Sequence, residues 1–511
     1  VLKYILKRFG STILVLFGAS VLVFFMTVHS GDPLADLRES NDPDAPYQME
    51  QRIRVMNLDQ PWYVRYWGWL RGVLGCFYGQ CDFGVNREGQ QMNSILAGAA
   101  QDSLRLVFIA TIASIVIGIL IGIMSAIRQY SLFDYSVSFI IFLFWSMPVF
   151  WVAVLAKDYL AIGYNNWMQD GGHFSWPQIF IISAVLAVAI PLVAGGDPKR
   201  RVITGVMTFA ASAGALWFFD SSSFATTPRI GGIGIIILSL ALAVGLTALI
   251  TGLNNRNVLY TSLMVAGIGI VAYYATWGLL ENPPGGWFLM LGLFALTIVV
   301  CVVLARVFGG YAKGQATAVS VITGTLISGL ILLDHFMYHW PELISLKARP
   351  ISTIGSHTRR FTEDDVTWWQ VNLDLLTQLW VPTMVLMITS VATYTRYTRS
   401  SMLEVARQDY IRTARAKGAN ERSVTFKHAF RNAMIPLATI VAFDFAGLIG
   451  GTVIMEQVFN WNGMGGLFVT GLQQVDPAPV MGFVIVTGFV AVMFNFLADI
   501  AYALLDPRIR V

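Results

Sequence analysis

The sequence predicts an all-α polytopic membrane protein with about 12 transmembrane helices. Mean hydropathy is +0.62 and only 13% of the 511 residues are charged, whereas a soluble domain carries about 25%. Apolar runs recur at lengths near the ~20 residues a helix needs to cross a bilayer. These runs are continuous, not the short alternating segments of a β-barrel.

The runs fall at about 9–28, 104–126, 136–162, 178–194, 202–219, 231–251, 258–280, 287–307, 317–337, 376–395, 436–456 and 480–505. The pair 178–194 and 202–219 is the least distinct, being short and closely spaced. "VLKYILKRFGSTILVLFGASVLVFFM" combines a basic start with a long apolar run and no good cleavage site after it. It is therefore expected to be a retained first span that starts in the cytoplasm.

Basic residues in short loops orient the chain. With Lys3, Lys7 and Arg8 inside, every second loop should be cytoplasmic. Those loops hold Arg128; Lys199, Arg200 and Arg201; Arg256; Arg306 and Lys313; and the segment 396–435. The alternate loops, such as "DSSSFATTPR" and "ENPPGG", carry little positive charge. An even number of spans with both termini inside follows. Two external segments are long. Residues 29–103 hold ten acidic and six basic residues and include "PWYVRYWGWLRG"; residues 338–375 include "DDVTWWQVNLDLL". Their Trp and Tyr suit the water–lipid interface.

The motifs GxxxxGK[ST], HExxH and GxSxG are all absent, so no phosphate loop, zinc-protease site or nucleophile elbow is expected. No catalytic residue, metal site or nucleic-acid partner is expected. His335 and His339, four apart at the outer end of a span, are expected to be interfacial side chains. Among deep ionisable residues, Asp444 and Asp499 stand out, and an intramembrane carboxylate is a functional candidate by default. Asp499 is expected near the cytoplasmic headgroups. For Asp444 a hydrogen bond to a neighbouring helix is an equal alternative. Proton- or sodium-coupled carriers usually show more such groups and broken helices. Residues 163–374 show no polar cluster of the kind a membrane enzyme would need.

From Arg396 to Arg431 there are nine basic and three acidic residues. In "DYIRTARAKGANERSVTFKHAFRNAMIP", small Ala414 and Ala416 precede Gly418, which suits a helix end. A second helix-forming stretch leads to Pro436, expected in the first turn of the next span. Two short helices around a glycine turn make a docking element for a cytoplasmic protein.

"TRSSMLEVARQDYIRTARAKGANERSVTFKHAFRNAMIPL" resembles the cytoplasmic loop of the integral permease subunits of binding-protein-dependent ABC importers, dipeptide/oligopeptide branch. The general EAA motif of those subunits would place its Glu at Arg412 and its alanines at Thr413 and Ala414; this branch commonly reads RTARAKG. Similar likenesses run through the opening followed by "GDP", through "NLDQPWYVRYWGWLRGVLG" and "DFG", through "GGTVIMEQVFNWNGMGGLFVTGLQQVDPAPVMGFV", and through "LADIAYALLDPRIR". They cover roughly 1–162 and 375–511.

The resemblance implies a six-helix permease core, 1–162 and 375–511, interrupted by a roughly six-helix insert, 163–374. It assigns coupling to ATPase subunits to Glu404, Asp409, Tyr410, Arg412, Thr413, Ala414, Arg415, Ala416, Lys417 and Gly418. Asp444, Glu456, Phe459 and Trp461, with Gly463 and Gly465, would shape the translocation pathway or its external gate; Asp444 stands where Gln is frequent. No cofactor is expected in this chain, with ATP and Mg in the partner subunits. The implied partners are a second homologous permease, two ATP-binding subunits or domains, an external substrate-binding protein, a peptide substrate and lipids of a bacterial cytoplasmic membrane. A stand-alone secondary carrier or channel is the alternative.

Two departures stand out. "CFYGQC" intervenes before "DFG"; in an external, oxidising compartment a Cys76–Cys81 disulfide is expected there, with two free thiols as the alternative. The insert itself matches nothing in the resemblance and is expected to be a peripheral, non-catalytic module; its Cys301 is expected to be a small packing residue. Gly118 with Gly122, and Gly447 with Gly451, have GxxxG spacing, which suits close packing either within the chain or with a second permease.

Overall fold

The structure is a computed structural model describing residues 2–358, 361 and 366–505. Side chains are described except at 2–9, 11, 12, 422, 427, 435, 438, 439, 442, 443, 445–451 and 497–505. Gly447, Gly451 and the Asp499 side chain therefore lie outside the described residues. Regular structure among the described residues is helical, apart from one antiparallel bridge between Val85 and Gln91. That is what a bilayer demands, because a helix satisfies its backbone polar groups internally. Nine helices among the described residues are long and apolar enough to cross a membrane, or ten if one bent pair counts as a span. Helices Leu2–Val28 and Phe430–Phe459 also cover the runs expected at 9–28 and 436–456.

Two expectations need correction. The run 136–162 is not one straight span. Leu132–Ser146 and Val149–Gln169 meet at 99°. Pro148 disfavours the α conformation at the residue before it, and Met147 is extended, with φ −84° and ψ 129°. Nor does Pro436 open a span: it lies inside helix Phe430–Phe459, which follows a π-turn at Val424–Ala429. Proline is tolerated within membrane helices, where neighbouring groups re-satisfy the freed carbonyl.

The chain divides into two compact units. One comprises residues 1–162, 353–356 and 378–511. Within it, Phe430–Phe459 packs on Pro477–Leu505, Met464–Gln473 and Met92–Ile127, and Leu2–Val28 packs on Pro477–Leu505. Met92, Leu96, Met464 and Phe483 form one core cluster; Phe24, Tyr66 and Met481 form another. Tyr66 also exchanges a 2.8 Å hydrogen bond with Ser20. Helix Trp62–Leu74 turns Trp62, Trp69 and Leu70 inward and leaves Tyr63 and Trp67 exposed, as an interfacial amphipathic helix does. Gly118 and Gly122 face helix Trp368–Ala406: a Cβ at either would lie 2.6 Å from a Cβ, that of Tyr394 or Thr398. Of the two alternatives for this glycine pair, the structure supplies packing within the chain.

An ionic network organises the segment between the first two long helices of this unit. Asp36 pairs with Arg52 at 2.5 Å and Arg87 at 3.5 Å. Burial alone would raise the Asp36 carboxyl, but the Arg52 hydrogen bond and charge, with Arg87, bring it below the usual range. Asp476 is buried and accepts from the Arg87 and Ala478 N–H groups at 2.7 and 3.1 Å. There burial prevails and pushes the carboxyl up.

The second unit comprises residues 163–352 and 357–377. Trp176–Ala194 pairs with Pro198–Ser221, while Gly231–Ile250, Arg256–Glu281, Trp287–Phe308 and Lys313–Tyr338 pack together. Their seams use small residues, including Ala243, Ala266, Ala305 and Ala316, all fully buried. Ser262 bonds Thr323 at 3.1 Å. Small residues let helices approach where lipid offers no hydrophobic drive. Cys301 is free and buried in this packing.

The expectation that this unit lacks a polar cluster does not hold. Asp334 is fully buried and accepts from Ile230 N, Gly231 N and Tyr273 Oη at 2.8, 2.9 and 2.7 Å. It thereby caps helix Gly231–Ile250. His335 and His339 are also buried, not interfacial. Both stack on Trp369, and His335 stacks on Trp277 as well. Asp374, buried, accepts from Lys347 Nζ and from the amide and hydroxyl of Thr358. Asp334, His335 and His339 sit near the end of helix Lys313–Tyr338, where hydropathy gives no sign of burial. Replacing Asp334 by Ala strands three donors, each costing about 1–3 kcal/mol when buried. Asp334→Ala is therefore expected to lower the thermal unfolding midpoint in detergent micelles, and Asp334→Asn, which can still cap the helix, to lower it less.

Candidate functional site

Segment 409–418 folds as one short helix, Asp409–Ala416, and a left-handed Gly418. Its end is a Schellman motif: Gly418 N donates to Arg415 O at 2.9 Å and Ala419 N to Ala414 O at 3.2 Å. Gly418 has φ +78° and nothing within 4 Å of an added Cβ. Glycine is required there by backbone conformation, not by crowding. Ile411, 1% exposed, inserts into a cluster with Ile123, Met402, Val424, Ala429 and Ala433. Ala414 and Ala419 pack against that cluster.

One face of the segment is thus held by the chain itself. Glu404, Asp409, Tyr410, Arg412, Thr413, Arg415, Ala416, Lys417 and Gly418 are exposed, whereas Ala414 is half-buried. Tyr410 accepts from Asn432 Nδ2 at 2.9 Å, and Arg415 pairs with Glu421 at 2.8 Å. Such exposed pairs contribute little to stability. They orient the surface instead.

Sequence reasoning missed the group that holds this segment's base. Asp134, 2% exposed, receives a bidentate grip from Arg399, Nε to Oδ1 at 2.8 Å and Nη2 to Oδ2 at 2.9 Å. Ser125 Oγ and Tyr130 N also donate to it. Two planar partners in fork geometry make the strongest kind of ion pair. Asp134 lies two residues inside an apolar helix, so it reads as a helix-start residue until the fold brings Arg399 to it.

The expected gate residues lie at the other end of the unit. Glu456 is 1% exposed and accepts from Ser103 Oγ at 2.5 Å, Thr452 Oγ1 at 3.1 Å and Gly466 N at 3.0 Å. A Cβ at Gly463 would lie 2.5 Å from the Glu456 carboxyl carbon, and one at Gly465 would lie 2.9 Å from its oxygen. The two glycines therefore make room for the carboxylate at the start of helix Met464–Gln473. Phe459 and Trp461 are buried too, at 2% and 4% exposure. None of the three presents a surface to solvent. Asp444 is half-buried with Tyr394 beside it, well along the helix from Glu456. The structure does not bring it into the same group.

Helix Phe430–Phe459 ends with all four last carbonyls engaged. Asn460, left-handed at φ 46°, donates to Glu456 O and Gln457 O, and Trp461 N donates to Glu456 O at 2.7 Å. Lys157 Nζ donates to Val458 O at 2.7 Å. Gly355 N donates to Phe459 O at 3.0 Å. Lys157 lies within the apolar run 136–162, in a π-turn over Lys157–Ile162, and sequence reasoning passed over it. Its charge inside that run was the available signal. Between helices Trp62–Leu74 and Met92–Ile127 the structure pairs Cys76 with Cys81. Among the described residues no group of three or more His, Cys, Asp or Glu is placed to hold a metal.

Comparison with known proteins bears on this unit. Residues 366–511 match the family described as "Binding-protein-dependent transport system inner membrane component". Those residues are similar to that family's members. They include the Asp409–Gly418 segment, Arg399 and the Glu456 hook. The oligopeptide transport system permease protein AppB of Bacillus subtilis (strain 168) is 47% identical over 137 residues, 27% of this chain and 43% of the relative. A putative peptide permease of Brucella ovis is 46% identical over 138 residues, 27% and 43% respectively. The oligopeptide permease OppB of Mycobacterium bovis is 42% identical over 143 residues, 28% and 44%. The chain thus spans less than half the length of the curated relatives it matches.

Two outcomes follow from this geometry. Gly418→Val must force a β-branched residue into the left-handed region, at about 1–2 kcal/mol; hydrogen exchange of the Ala419 amide should accelerate by roughly 5- to 30-fold. Gly418→Asn, which tolerates that conformation, should change it little. Glu456→Ala leaves the Ser103 hydroxyl and Gly466 amide buried without their acceptor, costing about 1–3 kcal/mol. A lower unfolding midpoint is expected, with a smaller loss in Glu456→Gln.

Proposed function

We propose that the chain is a transmembrane permease subunit of an ATP-driven importer that moves peptides delivered by an external binding protein. The observation that carries this is the Asp409–Gly418 segment. It is an exposed helix, closed by a left-handed glycine and anchored by Ile411, within residues that match the inner-membrane component family. Its outward face carries Asp409, Tyr410, Arg412, Thr413, Arg415, Ala416 and Lys417, and Glu404 is exposed nearby. Those groups suit docking in a groove of a separate ATPase, with ATP and Mg bound by that partner. Two ATP-binding subunits, a second homologous permease and an external binding protein complete the assembly. Peptide substrates are supported by the names of the relatives, which are oligopeptide and peptide permeases.

In this reading the chain crosses a bacterial cytoplasmic membrane twelve times, with both ends on the cytoplasmic side. Six core helices come from 1–162 and 375–511, and the insert 163–374 is a peripheral module. The division of the chain into two compact units between residues 162 and 163 supports that boundary. Burial of Glu456, Phe459 and Trp461 supports a role for them in building the external end of the pathway instead of lining it. The Cys76–Cys81 pair lies in the external segment, where an oxidising compartment keeps such a bond closed.

Co-expression with candidate ATPases, the second permease and the binding protein, followed by reconstitution in liposomes, tests this. Uptake of radiolabelled trialanine is expected only with ATP and the binding protein together. Uptake by the isolated chain without ATP would instead establish the stand-alone carrier.

A further inference from the structure

We propose that the loop closed by Cys76 and Cys81 is a membrane anchor. It seats Phe77 and Tyr78 among the phospholipids of the leaflet that surrounds the C-terminal half of helix Leu2–Val28, and the disulfide holds it in that shape. The anchor does not depend on what the chain transports.

Ring contacts fix the depth of helix Trp62–Leu74. Its Trp62 ring lies 5.2 Å from that of Phe25. One turn later, Tyr66 meets the rings of Phe24 and Phe17 at 5.4 and 6.4 Å and shares a 2.8 Å hydrogen bond with Ser20. From Phe25 back to Phe17 an α-helix covers about 12 Å. Helix Trp62–Leu74 therefore advances from the end of the apolar span toward its middle, not away from it into water. Leu22 and Met26, on the same stretch of the span, are 60% and 61% exposed, and what surrounds an apolar membrane helix there is lipid. Tyr63, Trp67 and Leu74 are exposed too and share one face of their helix. That face continues the lipid-facing surface of the span. Arg71 is exposed beside them, and its long stem lets the guanidinium reach lipid phosphates.

The loop extends this face. The 3-10 turn Gly75–Tyr78 follows the helix without a break, and Gly79, left-handed at φ +78°, reverses the chain. The Cys76–Cys81 bond closes the reversal. Gln80 N donates to Gly75 O at 3.0 Å and Asp82 N to Gly72 O at 3.2 Å. A Cβ on Gly72 or Gly75 would strike the returning carbonyls of Asp82 and Gln80, so the two glycines let the return leg lie against the helix end. A loop fixed in this way holds its rings outward: Phe77 is 81% exposed and Tyr78 87%. No charged side chain lies between Gly72 and Cys81. At a bilayer surface such a tip is stable, because a Phe ring is buried in the apolar boundary and Tyr keeps its hydroxyl among the headgroups.

The test uses the full chain in nanodiscs of phosphatidylethanolamine and phosphatidylglycerol. The photoreactive residue p-benzoylphenylalanine replaces Phe77, Tyr78 or, as a control, Asn41, which is exposed among Glu39, Asp42 and Asp44. All three positions are exposed, so the replacements leave the core untouched. Irradiation is followed by mass spectrometry of the intact protein, which counts lipid adducts. Adducts at Phe77 and Tyr78 are expected at roughly ten times the yield at Asn41, the preference that burying one aromatic side chain gives. Combining Cys76→Ser with Cys81→Ser should lower the yield at Phe77, because the tip is no longer held outward. Equal yields at all three positions overturn the anchor. So does a protein adduct at Phe77 in place of lipid when cell membranes are irradiated, which would make the loop a docking site for another chain. An unchanged yield without the two cysteines overturns the role given to the disulfide.

Discussion

A helix end leaves four carbonyls without a partner inside the helix, to be satisfied by other groups. Much of the first unit answers that demand at the end of Phe430–Phe459. Asn460 adopts a left-handed turn to return its amide, Lys157 reaches across from another helix, and Gly355 arrives from a segment distant in sequence. Only then can the chain reverse into Met464–Gln473. The reversal needs a second device, because the new helix begins with its own free amides. Glu456 supplies it, accepting from Gly466 N and from Ser103, whose hydroxyl in turn accepts from Met464 N. One carboxylate thus serves the start of one helix from the last turn of another.

The helices themselves were legible because hydropathy and length are local properties. Apart from the broken run 136–162, the apolar runs fall on long helices. The Asp409–Ala416 helix and its glycine end were equally readable, since a Schellman motif needs only a short sequence pattern. What resisted reading was any feature that depends on a partner far along the chain. Asp134 and Arg399 stand 265 positions apart, and Glu456 and Ser103 stand 353 apart. Periodicity contains nothing about such pairs. Pro148 was visible but was absorbed into a long apolar run, where composition outweighed the backbone preference of the residue before it.

The second unit carries a similar lesson in a different chemistry. Its helices are nearly devoid of charge along their length, and the polar groups gather at one end. Asp334, Tyr273, His335 and His339 are buried together with the aromatic rings of Trp277 and Trp369. Arg229 lies over the faces of Trp277 and Tyr338 at 5.6 and 5.2 Å. Aromatic faces attract cations and pack like hydrocarbon, so a polar cluster of this kind can join helix ends. It gives a lipid-bathed bundle a fixed end that small-residue seams alone do not supply.

Gly118 and Gly122 put the backbones of Met92–Ile127 and Trp368–Ala406 in direct contact. At such positions sequence drift has only one direction. No smaller residue exists, so every change adds volume, and none can be compensated by trimming the other side: Gly122 faces the carbonyl of Thr395 as well as the side chain of Thr398. A large side chain elsewhere in the core can be exchanged for another if its neighbour changes with it. Here the facing surface is partly main chain, which mutation cannot shorten.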